Sequence, residues 1–532
     1  MSIAINIYTE KYKRAMKIRG KRIFNYRPMV FFALAMIAGI LVSEALYTLS
    51  VWWYLALTIV VIGAVITIAA IKKSRKLLYI PLAVLIGFIG MTATNLQYNS
   101  VPIKTYSGTF TAQVSSEVLY ENGKVTFYLD NVRTEDGSLD YGARAKGSMY
   151  AEDIDFAPGD YVELSGTIKY YSHEKFSTYY SGYVQNGVRY GVSFSSVKKI
   201  SDGKLKFPDN LQLEIKRVLY QNTDDYTASI SQALVLGDKF GIDDDLYDNI
   251  KASGLAHVLA VSGLHVSTLA AALYFVLKKL KVNPKISFVV VLVLTFMYSM
   301  LCSFTASSLR AVVMSGVSMF ASSFGRKKDD LSSLSLAAIL ILLFRPCAIM
   351  DIGFLLSFAS VAGIFMFARP FENAGEKIVN KVSPKRHIGR KFASVCALSF
   401  ATNLASYPFV AYFFGEVPVL FLLSNFLILP YIMAAYVAML VLTLLSVISG
   451  WGGFVWILRF VLLPFRLYVG AIGSLNFATV NTEIGLVGLV TFVIMLVLAS
   501  RFVFLNRVQR GRALSLTATA GLTIAFLLAQ FV

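Results

Sequence analysis

Apolar runs of 17 to 25 residues recur along this chain, and each is long enough to cross a membrane as a helix. A helix rises so little per residue that about twenty residues are needed to cover roughly 30 Å of hydrocarbon, where the backbone must satisfy its own hydrogen bonds. About thirteen such runs are legible, counted by length and apolarity. With 56% hydrophobic and only 15% charged residues among 532, the chain lacks the charged surface of a soluble globule. The expected fold class is therefore a polytopic α-helical membrane protein with about thirteen spans, on the length argument just given.

The basic residues supply an orientation. Residues 1–28 hold eight Lys and Arg against the single acid Glu10, a basic tail that belongs in the cytoplasm by the positive-inside rule. Runs 29–49, 51–71 and 77–96 then form three N-terminal spans, with KKSRK at 72–76 inside. The first apolar run is long and has no small-residue cleavage site after it, so a retained N-terminus is expected and not a signal peptide. Further basic loops at 278–285, 326–328, 369–391 and 501–512 keep the alternation. The net charge of +19 follows mostly from these loops and does not by itself indicate nucleic acid.

Residues 97–207 change period and composition together, and the topology places them outside the cytoplasm. FTAQVSSEVLY, KVTFYLDNV, ARAKGSMY, DYVELSGTIKYY and VRYGVSFSSVK are short β-branched and aromatic runs divided by ENGK, EDGS and APGD turns. Five strands in that length suggest a small OB-like β-barrel. Residues 208–252 are acidic and too polar to span, so amphipathic helices on the outer surface are expected there. Spans resume from 253 to 475, with a 417–450 stretch broken at Pro430, and the remaining spans lie in 476–532.

Function should sit at LGDKFGIDDDLYDNIKASGLAHVLAVSGLHV, residues 236–266, where polar groups enter an apolar body. His257, Ser262, Gly263 and His265 must there find protein partners or face water, because lipid offers neither. They either line a pathway or are hydrogen-bonded packing residues. Gly254 and Gly263 permit close backbone approach or local unwinding. Arg310, inside an apolar run, meets a phosphate, snorkels to the interface or pairs with an acid such as Glu44 or Asp351, and an N-cap role explains Asp351 simply. In residues 97–207, Lys169, Tyr171, Lys175 and Arg189 interleave bases with aromatics as single-strand binders do, although that segment has almost no net charge to drive such binding.

Several chemistries find no residues. There is no G-x-x-x-x-G-K-[ST] loop for ATP, and four histidines with no His/Asp cluster make a two-metal hydrolytic centre unavailable. Cys302, Cys347 and Cys396 lie in or beside apolar runs and read as small hydrophobes. No metal, no cofactor and no catalytic activity are expected.

Three blocks carry a resemblance. LVLGDKFGIDDDLYDNIKASGLAHVLAVSGLHVSTLAAAL resembles the signature of the ComEC-type competence proteins, bacterial inner-membrane DNA-uptake channels. SSLRAVVMSGVSMFASSFGRKKDDLSSLSLAAILILLFRPCAIMDIGFLLSFASVAGI and ATNLASYPFVAYFFGEVPVLFLLSNFLILPYIMAAYVAM match in order, and the resemblance extends over about 30–475, including the family's external OB domain. It implies passage of single-stranded transforming DNA across the bacterial cytoplasmic membrane, through residues 253–475.

Many members also carry a C-terminal metallo-β-lactamase-like domain. No H-x-H-x-D-H run occurs in this sequence, so strand degradation is expected from a separate nuclease. Inward movement of a strand opposes an inside-negative potential at about 2.3 kcal/mol per charge for each 100 mV. The resemblance implies a cytoplasmic helicase-like ATPase as motor, a membrane-anchored DNA receptor outside, and contact with membrane lipids; a homo-oligomer is compatible with it. From the residues alone, an exporter or flippase of an anionic or lipid-linked envelope substrate, or a non-conducting membrane scaffold, remains open.

Overall fold

The computed structural model describes residues 27–46, 79–99, 105–116, 119–121, 124–134, 140–141, 144–150, 155–170, 187–205, 207–239, 241–382, 387–475, 477–482 and 484–500, with a few single positions between. The expected spans 51–71 and 513–531, and the candidate residues Tyr171 and Lys175, lie outside these. Two compact units result, one of residues 1–203 and 313–351, the other of residues 204–312 and 352–532. Seven helices among the described residues are long and apolar enough to cross a membrane. Asp330–Phe344 and Leu486–Ala499 are shorter apolar helices.

In the first unit, α1 (Pro28–Ala45) and α2 (Tyr79–Asn99) pack along their length. A Cβ added at Gly39 would collide with the Val84 carbonyl, and one at Gly87 with the Met36 carbonyl, so the two glycines let each backbone sit against the other. Ser43 and Thr92 share a hydrogen bond of 2.9 Å across the pair, and Asn95 donates to the buried Glu44 at 3.2 Å. Arg27, at the end of the basic tail, grips Asp329 with Nε at 3.0 Å and Nη2 at 2.9 Å. Replacing Gly39 or Gly87 by Leu should separate the helices and cost about 1–3 kcal/mol through overpacking, read as a lowered unfolding temperature of the detergent-solubilised chain.

The same unit contains a seven-stranded sheet: β1 (Tyr106–Val114), β2 (Leu119–Glu121), β3 (Lys124–Thr134), β4 (Asp140–Tyr141), β5 (Arg144–Tyr150), β6 (Tyr161–Tyr170) and β7 (Val188–Ser201). Five long strands occupy the five expected runs, and β2 and β4 are short additions paired with β3. Pairing runs β1, β6, β7, β5, β3 and returns from β3 to β1, with β5 and β7 parallel. Alternate residues Phe110, Ala112 and Val114, Val125, Phe127 and Leu129, and Tyr190, Val192 and Phe194 point into one core. At Gly166, beside a register shift, a Cβ would strike the Ser193 carbonyl, so only glycine lets β6 and β7 close there.

Asp160, nearly fully buried before β6, accepts from Lys199 Nζ at 2.8 Å and from the Ala157 N–H at 2.9 Å. Burial raises its pKa, but the Lys199 ammonium and the Ala157 and Gly203 N–H groups outweigh it and hold the carboxyl below its usual value. The contribution is present above the unfolded carboxyl value and disappears as pH falls through the lower folded value. Hydrogen-exchange protection of β6 and β7, corrected for intrinsic rates, should therefore decline in acid. Asp160→Asn should abolish that dependence and cost about 1–3 kcal/mol by leaving its donors poorly matched.

The second unit begins with three helices, α3 (Asp209–Asn222), α4 (Asp225–Leu236) and α5 (Asp244–Ala252). Amphipathic surface helices were the expectation for 208–252, and α4 differs: every residue from Thr227 to Leu236 is buried. Its serines and glutamine disguise a core helix, which Asp224 caps by accepting the Thr227 N–H at 3.3 Å. Around α4 stand α6 (Ala256–Leu259), α7 (Gly263–Lys279), α8 (Pro284–Leu301) and the first part of α9 (Ala306–Ser323). The chain re-enters this unit through α11 (Ile352–Gly363) after α10 (Asp330–Phe344) in the first.

A π-helical turn, Ile364–Ala368, leads from α11 into α12 (Arg369–Val382), followed by α13 (His387–Phe414). The expected break at Pro430 is real: a short α14 (Phe421–Leu427) precedes α15 (Leu429–Ser449), with the proline at its second position.

Candidate functional site

The expected single span from 253 is instead two pieces. α6 is one turn long, an extended Ala260 ends it, and α7 starts at Gly263. Neither α7 nor α9, which carry the candidate residues, is among the seven helices long and apolar enough to cross a membrane. Gly254 has φ +76°, and a Cβ there would lie 3.1 Å from Phe421 Cα, so close backbone approach is what this glycine provides. α14 is held at that point by Ser424, whose hydroxyl donates to the Ser253 carbonyl and shares a 2.8 Å hydrogen bond with Tyr468.

Ser262 is the N-cap of α7. Its Oγ accepts from Leu264 N–H at 3.2 Å, and its own N–H donates to His265 Nδ1 at 3.1 Å. This is a capping box in which histidine occupies the third position, usually filled by Glu or Gln. Because Nδ1 accepts, the neutral ring carries its proton on Nε2. That N–H is fully buried with no acceptor among the described residues. The ring meets Tyr436 edge to face, centroids 4.8 Å apart. His257, by contrast, is exposed. The two histidines, equivalent in the sequence, thus separate into a buried capping group and an accessible one.

Arg310 on α9 is 7% exposed. It forms no ion pair with a described acid of its own unit, and its Nε has no acceptor among the described residues. The guanidinium lies against Gly263, where a Cβ would collide with it, and its carbon is 6.0 Å from the centre of the Phe358 ring. Ser262, Gly263, His265 and Arg310 are therefore one cluster at the start of α7. Tyr436 and Phe358 complete it. Neither stood out in the sequence, since an aromatic residue within an apolar span gives no sign of what its ring faces.

In the sheet, Lys169 is exposed on β6 and Arg189 half-buried on β7, and the Tyr170–Tyr190 register turns both away from the core. They are remote in sequence from the α7 cluster and belong to the other unit.

These features define a polytopic membrane protein with an inserted β-sheet domain and a buried cationic cluster at a helix break. The family model described as "Competence protein" matches residues 234–527, more than half of the sequence. This chain belongs to the competence protein family, of the ComEC type. It is 26% identical to "ComE operon protein 3" of Bacillus subtilis (strain 168) over 284 residues, which are 52% of this chain and 34% of the relative. The aligned part therefore spans about a third of that relative's length. No solved structure matches.

Replacing Ser262 by Ala should remove the α7 cap and lower stability by about 1 kcal/mol. His265→Leu should cost about 1–3 kcal/mol by stranding the Ser262 N–H, whereas His265→Gln, which restores the usual capping residue, should recover most of it. Thermal unfolding of the solubilised chain distinguishes the two substitutions.

Proposed function

We propose that the chain conducts single-stranded transforming DNA across the bacterial cytoplasmic membrane, with His257, Ser262, Gly263, His265 and Arg310 along the path. The observation that carries this reading is Arg310: a buried cation paired with no described acid of its own unit, next to a break in a helix. A structural ion pair would neutralise it; a conduit for an anionic strand has a use for the charge. Family membership supports DNA uptake as the process.

The sheet domain is an OB-like barrel in this proposal, supported by the return of pairing from β3 to β1 and the parallel β5–β7 contact. It lies outside the cytoplasm and offers Lys169 and Arg189, with Tyr171 and Lys175, to the strand. The basic tail and the 326–328 loop lie inside; the Arg27–Asp329 ion pair, which brings these two segments together, supports that orientation. The chain performs no catalysis. A cytoplasmic helicase-like ATPase drives transport, a membrane-anchored receptor delivers DNA, and a separate nuclease removes the other strand.

Labelled double-stranded DNA should reach a DNase-protected cytoplasmic pool in the wild-type host and fail to do so after deletion of this gene, with surface-bound DNA unchanged. His257→Ala should lower the protected pool about tenfold at equal protein level, a loss typical of one functional contact. An unchanged pool in the deletion strain would overturn the uptake reading and favour an envelope-substrate exporter or a scaffold.

A further inference from the structure

The start of α7 has an electrostatic conflict that its own residues leave unresolved. A helix N-terminus is the positive end of the backbone dipole and attracts anions. Here it faces a guanidinium instead: Arg310 lies against Gly263, the first residue of α7. Two positive groups meet with no carboxylate between them, and Arg310 is 7% exposed, so water screens the repulsion poorly.

The donors of that turn sharpen the point. Ser262 N–H goes to His265 Nδ1, Leu264 N–H to Ser262 Oγ, and His265 and Val266 N–H to the Ser262 carbonyl. Gly263 N–H has no acceptor among the described residues, and Arg310 Nε has none either. Ser262 and Gly263 are only partly buried and Leu264 is exposed, so the turn is reachable from outside the core. The Phe358 ring beside the guanidinium offers a π face and no oxygen.

We infer that Gly263 and Arg310 form a seat for one phosphodiester oxyanion of the nucleic-acid strand. This rests on the conduit reading above and adds the ligand group and the atoms that hold it. One oxyanion accepts from the Gly263 N–H and from the guanidinium, and its charge resolves the repulsion between them. Every nucleotide presents this group and no base edge is read, so the seat is indifferent to sequence. Gly263 sets the geometry, because a methyl at this position would displace the guanidinium. Its φ is not in the left-handed region, so alanine meets no backbone strain and conflicts only with Arg310 and nearby side chains.

The test uses the full chain in nanodiscs of zwitterionic lipid, with a short mixed-sequence single-stranded oligodeoxynucleotide whose affinity is followed by anisotropy over a salt series. Arg310→Gln should weaken binding about tenfold and reduce the slope of log affinity against log salt by about 0.7, the loss of one phosphate contact on a single strand. Arg310→Lys should keep the slope, and Gly263→Ala should behave as Arg310→Gln does; these two carry the test if Arg310→Gln fails to fold. An unchanged slope in Arg310→Gln or Gly263→Ala overturns the seat while leaving the conduit reading intact. A slope change seen only in discs containing anionic lipid makes the ligand a lipid headgroup and overturns the strand assignment. Failure of the wild type to bind the oligonucleotide overturns the conduit reading and the seat together.

Discussion

Hydrocarbon supplies neither donor nor acceptor, so every helix break within an apolar body has to satisfy its own backbone. The start of α7 depends on this constraint. Ser262 and His265 exchange hydrogen bonds across the first turn, and with that turn secured the chain stops after α6, redirects, and begins again. The break in turn leaves room for Arg310 at Gly263 and for α14 at Gly254.

Glycine performs two different tasks in this architecture. At Gly39, Gly87 and Gly254 it admits another backbone, and packing is the result. At Gly263 it admits a charged side chain, and a cationic position at a helix start is the result. Both uses follow from the missing Cβ. The glycines are visible in the sequence but what occupies the vacated space is not, because the occupant comes from an element distant along the chain.

Burial likewise divides residues that look alike. His257 and His265 lie eight positions apart in similar surroundings, yet one is exposed and the other is enclosed beside Tyr436. α4 makes the same point in reverse: DYTASISQALVL has the polarity of a surface helix and is the centre of the second unit, with Gln232, Ser229 and Ser231 all buried. Small polar side chains can bond within their own helix, as Ser229 does to the Tyr226 carbonyl at 3.2 Å, and so enter a core at modest cost.

What the sequence determined by itself is whatever depends on local composition and period. The membrane class follows from the length of apolar runs, the five principal strands from alternation between turn signals, and the break at Pro430 from proline's missing N–H. The candidate cluster was legible as residue types out of place in an apolar setting. Tertiary structure decided how those residues combine: that His265 caps a helix, that Arg310 approaches Gly263 without an acid, and that Phe358 and Tyr436 belong to the cluster. These are contacts between segments far apart in the chain, and local patterning encodes which side of an element is apolar but not which distant side chain it will meet.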